Sequence, residues 1–129
     1  MNTTVIPDDI RRYVIHRVPS VPYLEAILLL RENRQQAWPP EQVARRLYLG
    51  EADALKLLTE LAADGIVAEE AGPPAAYRFA PASGELDELL ARLATVYAHN
   101  LIAISTLIHS KTSGKAQLLA DAFVWRKEK

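Results

Sequence analysis

Apolar positions recur along this chain at a helical spacing, interrupted once by two short runs set about a turn. A first helix is predicted from Asp8 to about Arg17, opened by Pro7-Asp8-Asp9 and closed before Pro19, with Ile10, Tyr13, Val14 and Val18 as its apolar stripe. Two acids in its first turn suit the positive end of the helix dipole. A second begins at Ser20, and its run Tyr23-Leu24-Ala26-Ile27-Leu28-Leu29-Leu30 is apolar nearly all round, which predicts central burial. Residues 33–37 read as a connection, and Trp38 precedes Pro39-Pro40 as a staple for the next helix. There Val43, Ala44 and Leu47 face inward, while Glu41, Gln42, Arg45 and Arg46 face outward. Tyr48-Leu49-Gly50 makes a turn, and a helix over 51–64 repeats Ala54, Leu57 or Leu58, and Leu61 at helical spacing. Gly65 suits the left-handed position that ends a helix. Ile66-Val67-Ala68 and Tyr77-Arg78-Phe79 then flank the turn cluster Ala71-Gly72-Pro73-Pro74, the pattern of a short hairpin.

After Pro81 the chain turns helical again. Leu86, Leu89, Leu90, Leu93, Val96, Tyr97, Leu101, Ile104, Leu107 and Ile108 predict one long helix from Glu85 to about Ser110. At 1.5 Å per residue it would be about 38 Å long. Thr112-Ser113-Gly114 breaks the pattern, and a short last helix is predicted from Ala116 to about Trp125.

Two helices, a turn and a hairpin over residues 40–80 resemble a winged helix-turn-helix, including Leu58 and Leu61 ahead of Gly65. The resemblance widens to a group of small bacterial winged-helix proteins labelled transcriptional regulators. It is carried by Val21-Pro22-Tyr23-Leu24-Glu25, by residues 41–47, by Ile108-His109-Ser110-Lys111 and by Ala120-Asp121-Ala122-Phe123. The expected fold is mainly α with a small β-hairpin wing, a winged helix-turn-helix plus a long C-terminal helix and a short last helix. Residues 1–83 would hold the N-terminal helices and the motif. Residues 84–129 would form a C-terminal helical dimerisation segment, with one compact domain overall. The resemblance implies double-stranded DNA as partner, the second motif helix in the major groove and a homodimer.

Charge complicates that expectation. The net charge of −1 conceals +2 over residues 1–50, −7 over 51–90 and +4 over 91–129. The acidic block coincides with the would-be recognition helix and wing. Laid over the motif, the base-reading positions fall near Asp53, Leu55 and Lys56, of which Lys56 alone suits DNA. Arg45 and Arg46 would touch phosphate, with Arg78 behind the wing as a fourth DNA-contacting candidate. The alternative is a non-enzymatic adaptor that binds no DNA and docks a basic protein through Glu51, Asp53 and Glu60. Leu101, Ile104 and Ile108 are the expected dimer contacts, because a broad apolar helix face seeks a partner.

Composition excludes several classes. Zero cysteines rule out disulfides and thiolate metal sites. His16, His99 and His109 lack metal-ligand spacing with carboxylates, and the Ser105/His109 pair has no acid nearby in sequence to orient it. No phosphate-cradling glycine loop is present. No enzyme activity and no cofactor are expected. The start of the chain lacks a secretory pattern, and Arg92, His99 and Asn100 interrupt the most apolar stretch, so a cytoplasmic protein without a membrane span is expected.

Overall fold

The structure, a computed structural model, describes residues 6–110. Its elements are α1 (Asp8–Arg17), α2 (Val21–Glu32), α3 (Pro40–Leu47), α4 (Glu51–Ala63), β1 (Val67–Glu70), β2 (Ala76–Phe79) and α5 (Gly84–His99). A further helix, α6, covers Leu101–Ser110. By backbone proximity the chain divides into two compact units. One is Val21–Ala94; the other holds, among the described residues, 6–20 and 95–110. The sequence boundary at 83–84 marks the end of the hairpin and the start of α5, and lies inside the first of these units.

In Val21–Ala94 the apolar run predicted to be central is central. Tyr23, Leu24, Ala26, Ile27, Leu29 and Leu30 of α2 are all buried, and α2 packs against α3, α4 and β2. Removing each large aliphatic side chain from water contributes about 1.5–3 kcal/mol. Tyr23 is polar at its tip, and its hydroxyl donates to Asp64 Oδ2 just past α4. That bond satisfies the phenol and fixes the end of α4 against α2. α4 buries Ala54, Leu58 and Leu61, resolving the choice between Leu57 and Leu58 in favour of the latter. Gly65 follows at φ 78°, and a Cβ there would lie 3.2 Å from Ala82 Cβ. Glycine is the residue that takes this backbone without strain.

The hairpin is antiparallel, with Val67 opposite Phe79 and Glu70 opposite Ala76. Tyr77 and Phe79 alternate inward along β2. At its turn a Cβ on Gly72 would come 2.7 Å from the Pro74 carbonyl oxygen, so glycine is required there too. Trp38 does more than staple α3. Its N–H donates to Tyr77 O at 2.7 Å and its carbonyl accepts from Tyr77 N at 2.9 Å. The residue read as a staple, just past the 33–37 connection, is therefore also a one-residue third strand on β2.

In the other unit, α1 buries Ile10 and Val14, and Val18, Tyr97, Ile104 and Ile108 are buried as well. The long helix expected over 85–110 is not continuous. It breaks at Asn100 between α5 and α6, which bend by 107°. The cause is local. Asn100 Nδ2 donates to Val96 O at 3.0 Å, its own N–H bonds Tyr97 O at 3.2 Å, and its carbonyl receives Ile104 N at 2.9 Å to start α6. An asparagine side chain that competes for helix hydrogen bonds ends one helix and opens the next. The last helix predicted at 116–125 lies outside the described residues.

Candidate nucleic-acid interface

α3 and α4 are joined by three residues that leave no slack. Tyr48 closes α3 in the left-handed region at φ 58°, ψ 46°, with its N–H on Ala44 O. Leu49 N reaches the same carbonyl at 2.9 Å. Gly50, in extended backbone, then precedes α4, and its carbonyl accepts Ala54 N at 3.0 Å. Tyr48 has no packing reason to occupy the strained region, since it is 94% exposed.

Because α4 turns Ala54, Leu58 and Leu61 inward, it turns Ala52, Leu55, Lys56 and Thr59 outward as one exposed stripe. Thr59, which sequence reasoning did not single out, belongs to this stripe; its hydroxyl is bonded to Leu55 O at 2.8 Å. Lys56 is exposed and forms no ion pair among the described residues. Its charge is nevertheless not isolated, for Asp53 and Glu60 lie three residues before and four after it, within one turn on the same side. Glu51 and Asp53 are exposed, whereas Glu60 is half-buried.

Arg45 and Arg46 stand exposed at the end of α3, in different circumstances. Arg45 pairs with Glu41 at 2.8 Å, one turn back on the same helix. Such an exposed pair is worth about 0.3–0.5 kcal/mol and is easily exchanged for another anion. The Arg46 guanidinium lies 5.5 Å from the centre of the Trp38 ring. Gln36, Trp38, Gln42, Arg45 and Arg46 together line a shallow cleft of about 200 Å³.

Arg78 is placed differently from the expectation of a DNA contact. Its Nε bonds Glu70 Oε2 at 2.6 Å, and its Nη1 donates to the Gln35 carbonyl. The guanidinium is engaged on both sides as a strut between the hairpin and the segment before Trp38. This pairing holds Glu70 below the usual carboxylate range, by the hydrogen bond first and by charge second, and raises Arg78 correspondingly. Arg34, stacked 5.0 Å from the Phe79 ring centre and 3.1 Å from Asp87, is similarly occupied. The wing tip presents Gly72, Pro73 and Pro74 to solvent and carries no charge, while Glu69 and Glu70 are exposed on β1.

On α6, Ile104 and Ile108 are covered by their own chain, at 0% and 1% exposure. Their burial follows from the turn of the helix, which puts them on one face and leaves Leu101 and Ile102 open at 53% and 78%. Two of the three expected dimer contacts are thus already used inside the protomer. Among the described residues no single helix is long and apolar enough to cross a membrane.

Two helices crossing through a tight turn, an exposed second helix and a hairpin bridged back to Trp38 define a winged helix-turn-helix protein. The fold is shared with a MarR family transcriptional regulator from Streptomyces coelicolor, to which the chain superposes with a TM-score of 0.57 over 94% of its own length and 84% of that chain, at 13% identity. At that identity the likeness establishes the fold. No family model and no curated protein gives a significant match.

Proposed function

We propose that this protein is a DNA-binding transcriptional regulator of the winged-helix type, acting as a homodimer. The observation that carries the reading is the α4 stripe of Ala52, Leu55, Lys56 and Thr59, presented to solvent beside the exposed Arg45 and Arg46. Small and apolar side chains let a helix approach base edges, thymine methyl groups included, while the arginines of α3 bind phosphate. Arg78 drops out as a contact, since Glu70 and Gln35 hold it. Dimer contacts fall to Leu101, with Ile102 beside it, as the exposed apolar side chains of α6.

Binding to sheared genomic DNA at about 50 and 200 mM salt tests this reading. Arg45 and Arg46 on each of two protomers would neutralise about four phosphates, giving a salt slope of about −3.6 and a loss of about a hundredfold between the two conditions. Arg45→Ala/Arg46→Ala should abolish that dependence. No binding at low salt would refute DNA recognition.

A second reading has its own support. Glu51 and Asp53 on α4 and Glu69 and Glu70 on β1 are exposed carboxylates on the elements that would face DNA, and they repel a phosphate lattice. An adaptor docking a basic protein on this acidic face is the reading that a negative DNA result would favour.

A further inference from the structure

The turn between α3 and α4 holds a side chain that folding does not explain. Tyr48 sits in the left-handed region at φ 58°, ψ 46°, a backbone that disfavours any residue with a Cβ. Turns of this kind often contain glycine, and the chain's other left-handed position among the described residues is a glycine, Gly65. The tyrosine is 94% exposed, so no packing offsets the strain. A strained residue that the fold does not need points to function. Tyr48 lines a cleft of about 340 Å³ whose walls both belong to the Val21–Ala94 unit. Val21, Pro22 and Glu25 come from α2, and Arg46, Leu47 and Tyr48 from the end of α3. The lining is apolar except for one charge on each wall, Glu25 and Arg46, of opposite sign. Arg46 lies over Trp38 and forms no ion pair among the described residues. Glu25 has a partner of its own, but a carboxylate has about four lone-pair sites and accepts a further donor. The volume is at the lower end of the range for ligand pockets, which calls for a small molecule. A plain anion would meet Glu25, and a plain cation Arg46. A neutral apolar molecule would take both charges from water without pairing them. A small zwitterion with an apolar body satisfies the whole lining.

We infer that this cleft is a seat for a free α-amino acid with an apolar side chain. Its carboxylate pairs with the Arg46 guanidinium, its ammonium donates to Glu25, and its side chain lies against Val21, Pro22, Leu47 and the Tyr48 ring. The ring is covered only when the seat is filled, which gives the strained residue its use. The turn that presents it is held in advance, since the N–H groups of Tyr48 and Leu49 both donate to the Ala44 carbonyl. Uptake of the amino acid does not rest on the regulator reading above; one consequence does. An Arg46 engaged by the ligand is withdrawn from DNA, so amino acid and DNA must weaken each other's binding by the same factor.

The test is a titration of the full chain with L-leucine and, separately, L-phenylalanine at fixed pH and ionic strength, following backbone amides by ¹H–¹⁵N NMR. The expected result is a saturable shift at the amides of Val21 and Glu25 and of residues 46–50. N-acetyl-L-leucine lacks the ammonium and L-leucinamide the carboxylate, and each should bind at least about tenfold more weakly, the loss of one charge-assisted pair. Arg46→Gln and Tyr48→Gly should each weaken leucine binding by a similar factor. Both positions are exposed, and a thermal midpoint that does not fall shows that the fold survives. Tyr48→Gly separates a binding role from a structural one, because it relieves the backbone while removing the ring, so that affinity falls without a loss of stability. No saturable shift with either amino acid, undiminished affinity in Tyr48→Gly, or equal binding of the two blocked leucines overturns the inference. DNA affinity is then measured with and without saturating amino acid. Weaker DNA binding in its presence supports the seat and the regulator reading together. A chain that takes up leucine through these residues and binds no DNA retains the seat and refutes the regulator reading alone.

Discussion

Replacing Tyr23 by Phe removes a single hydroxyl from the centre of the winged-helix unit. The phenol is 1% exposed and donates to Asp64 Oδ2, forty-one residues further along the chain. The ring itself would stay in place, so neither cavity nor lost apolar burial enters. A hydrogen bond to a carboxylate contributes about 1.5–3 kcal/mol. Asp64 is half-buried, so water would solvate it once the hydroxyl is gone, and the lower end applies. We expect a loss of about 1.5 kcal/mol, roughly a tenfold change in the folding equilibrium, and a thermal midpoint lower by about 5–6 °C for a chain of this size. Urea unfolding followed by far-ultraviolet circular dichroism measures it, with an unchanged m-value as the sign that the unfolded ensemble is the same. A double-mutant cycle with Asp64→Ala, which removes the acceptor, isolates the pair and should return a coupling of about 1 kcal/mol. A loss under about 0.5 kcal/mol together with zero coupling would refute the idea that this bond fastens the end of α4 to α2.

Gly65→Ala should destabilise by about 1–2 kcal/mol, since the residue holds φ 78° where a Cβ is disfavoured, and a neutral result in urea would show that the turn relaxes. Tyr48→Gly should act in the opposite sense. The left-handed backbone strains a tyrosine by about 1–2 kcal/mol, and the extra freedom of glycine in the unfolded chain offsets about 0.5–1 of it. A side chain that is 94% exposed loses no packing, so a small gain is expected; a loss above about 1 kcal/mol would mean that Tyr48 is held by something other than backbone geometry. The Glu70–Arg78 pair lowers the Glu70 pKa in the folded protein. Its contribution to stability should therefore be full above the ordinary glutamate range and fade as pH falls through the depressed value. Glu70→Gln should flatten that part of the acid limb in a stability–pH curve, and an unchanged limb would show that the pair does not act.

Most of the fold was legible because its signals are local. Asp8 and Asp9 announce α1, Pro40 opens α3, Gly65 ends α4, and the spacing of Ala54, Leu58 and Leu61 gives the buried face of α4 without reference to anything distant. What escaped was decided by hydrogen bonds between residues far apart or by one side chain overriding a period. The apolar rhythm continues through residue 100, so periodicity alone reads one helix, yet the amide of Asn100 takes the Val96 carbonyl and ends it. An asparagine preceding Leu101-Ile102 was the available sign. Trp38 carried no pattern for a strand, because a single bridged residue has no period. The site was less legible than the fold. Arg78 could be assigned to DNA from sequence only because its partners, Glu70 and the Gln35 carbonyl, are brought to it by the hairpin. Ile104 and Ile108 looked outward-facing for want of knowing how α6 turns after the break.

The Trp38–Tyr77 bridge also bears on how the protein behaves at high concentration. A two-stranded ribbon has two open flanks, each able to recruit a strand from another molecule. Here the flank of β2 is closed at Tyr77 by the chain's own Trp38. The flank of β1 is four residues long and bears Glu69 and Glu70 in solvent, so a second copy would have to align like charges to pair there. Edge-to-edge stacking of wings is thereby disfavoured on both sides, and the hairpin can remain exposed without becoming a seed for fibres.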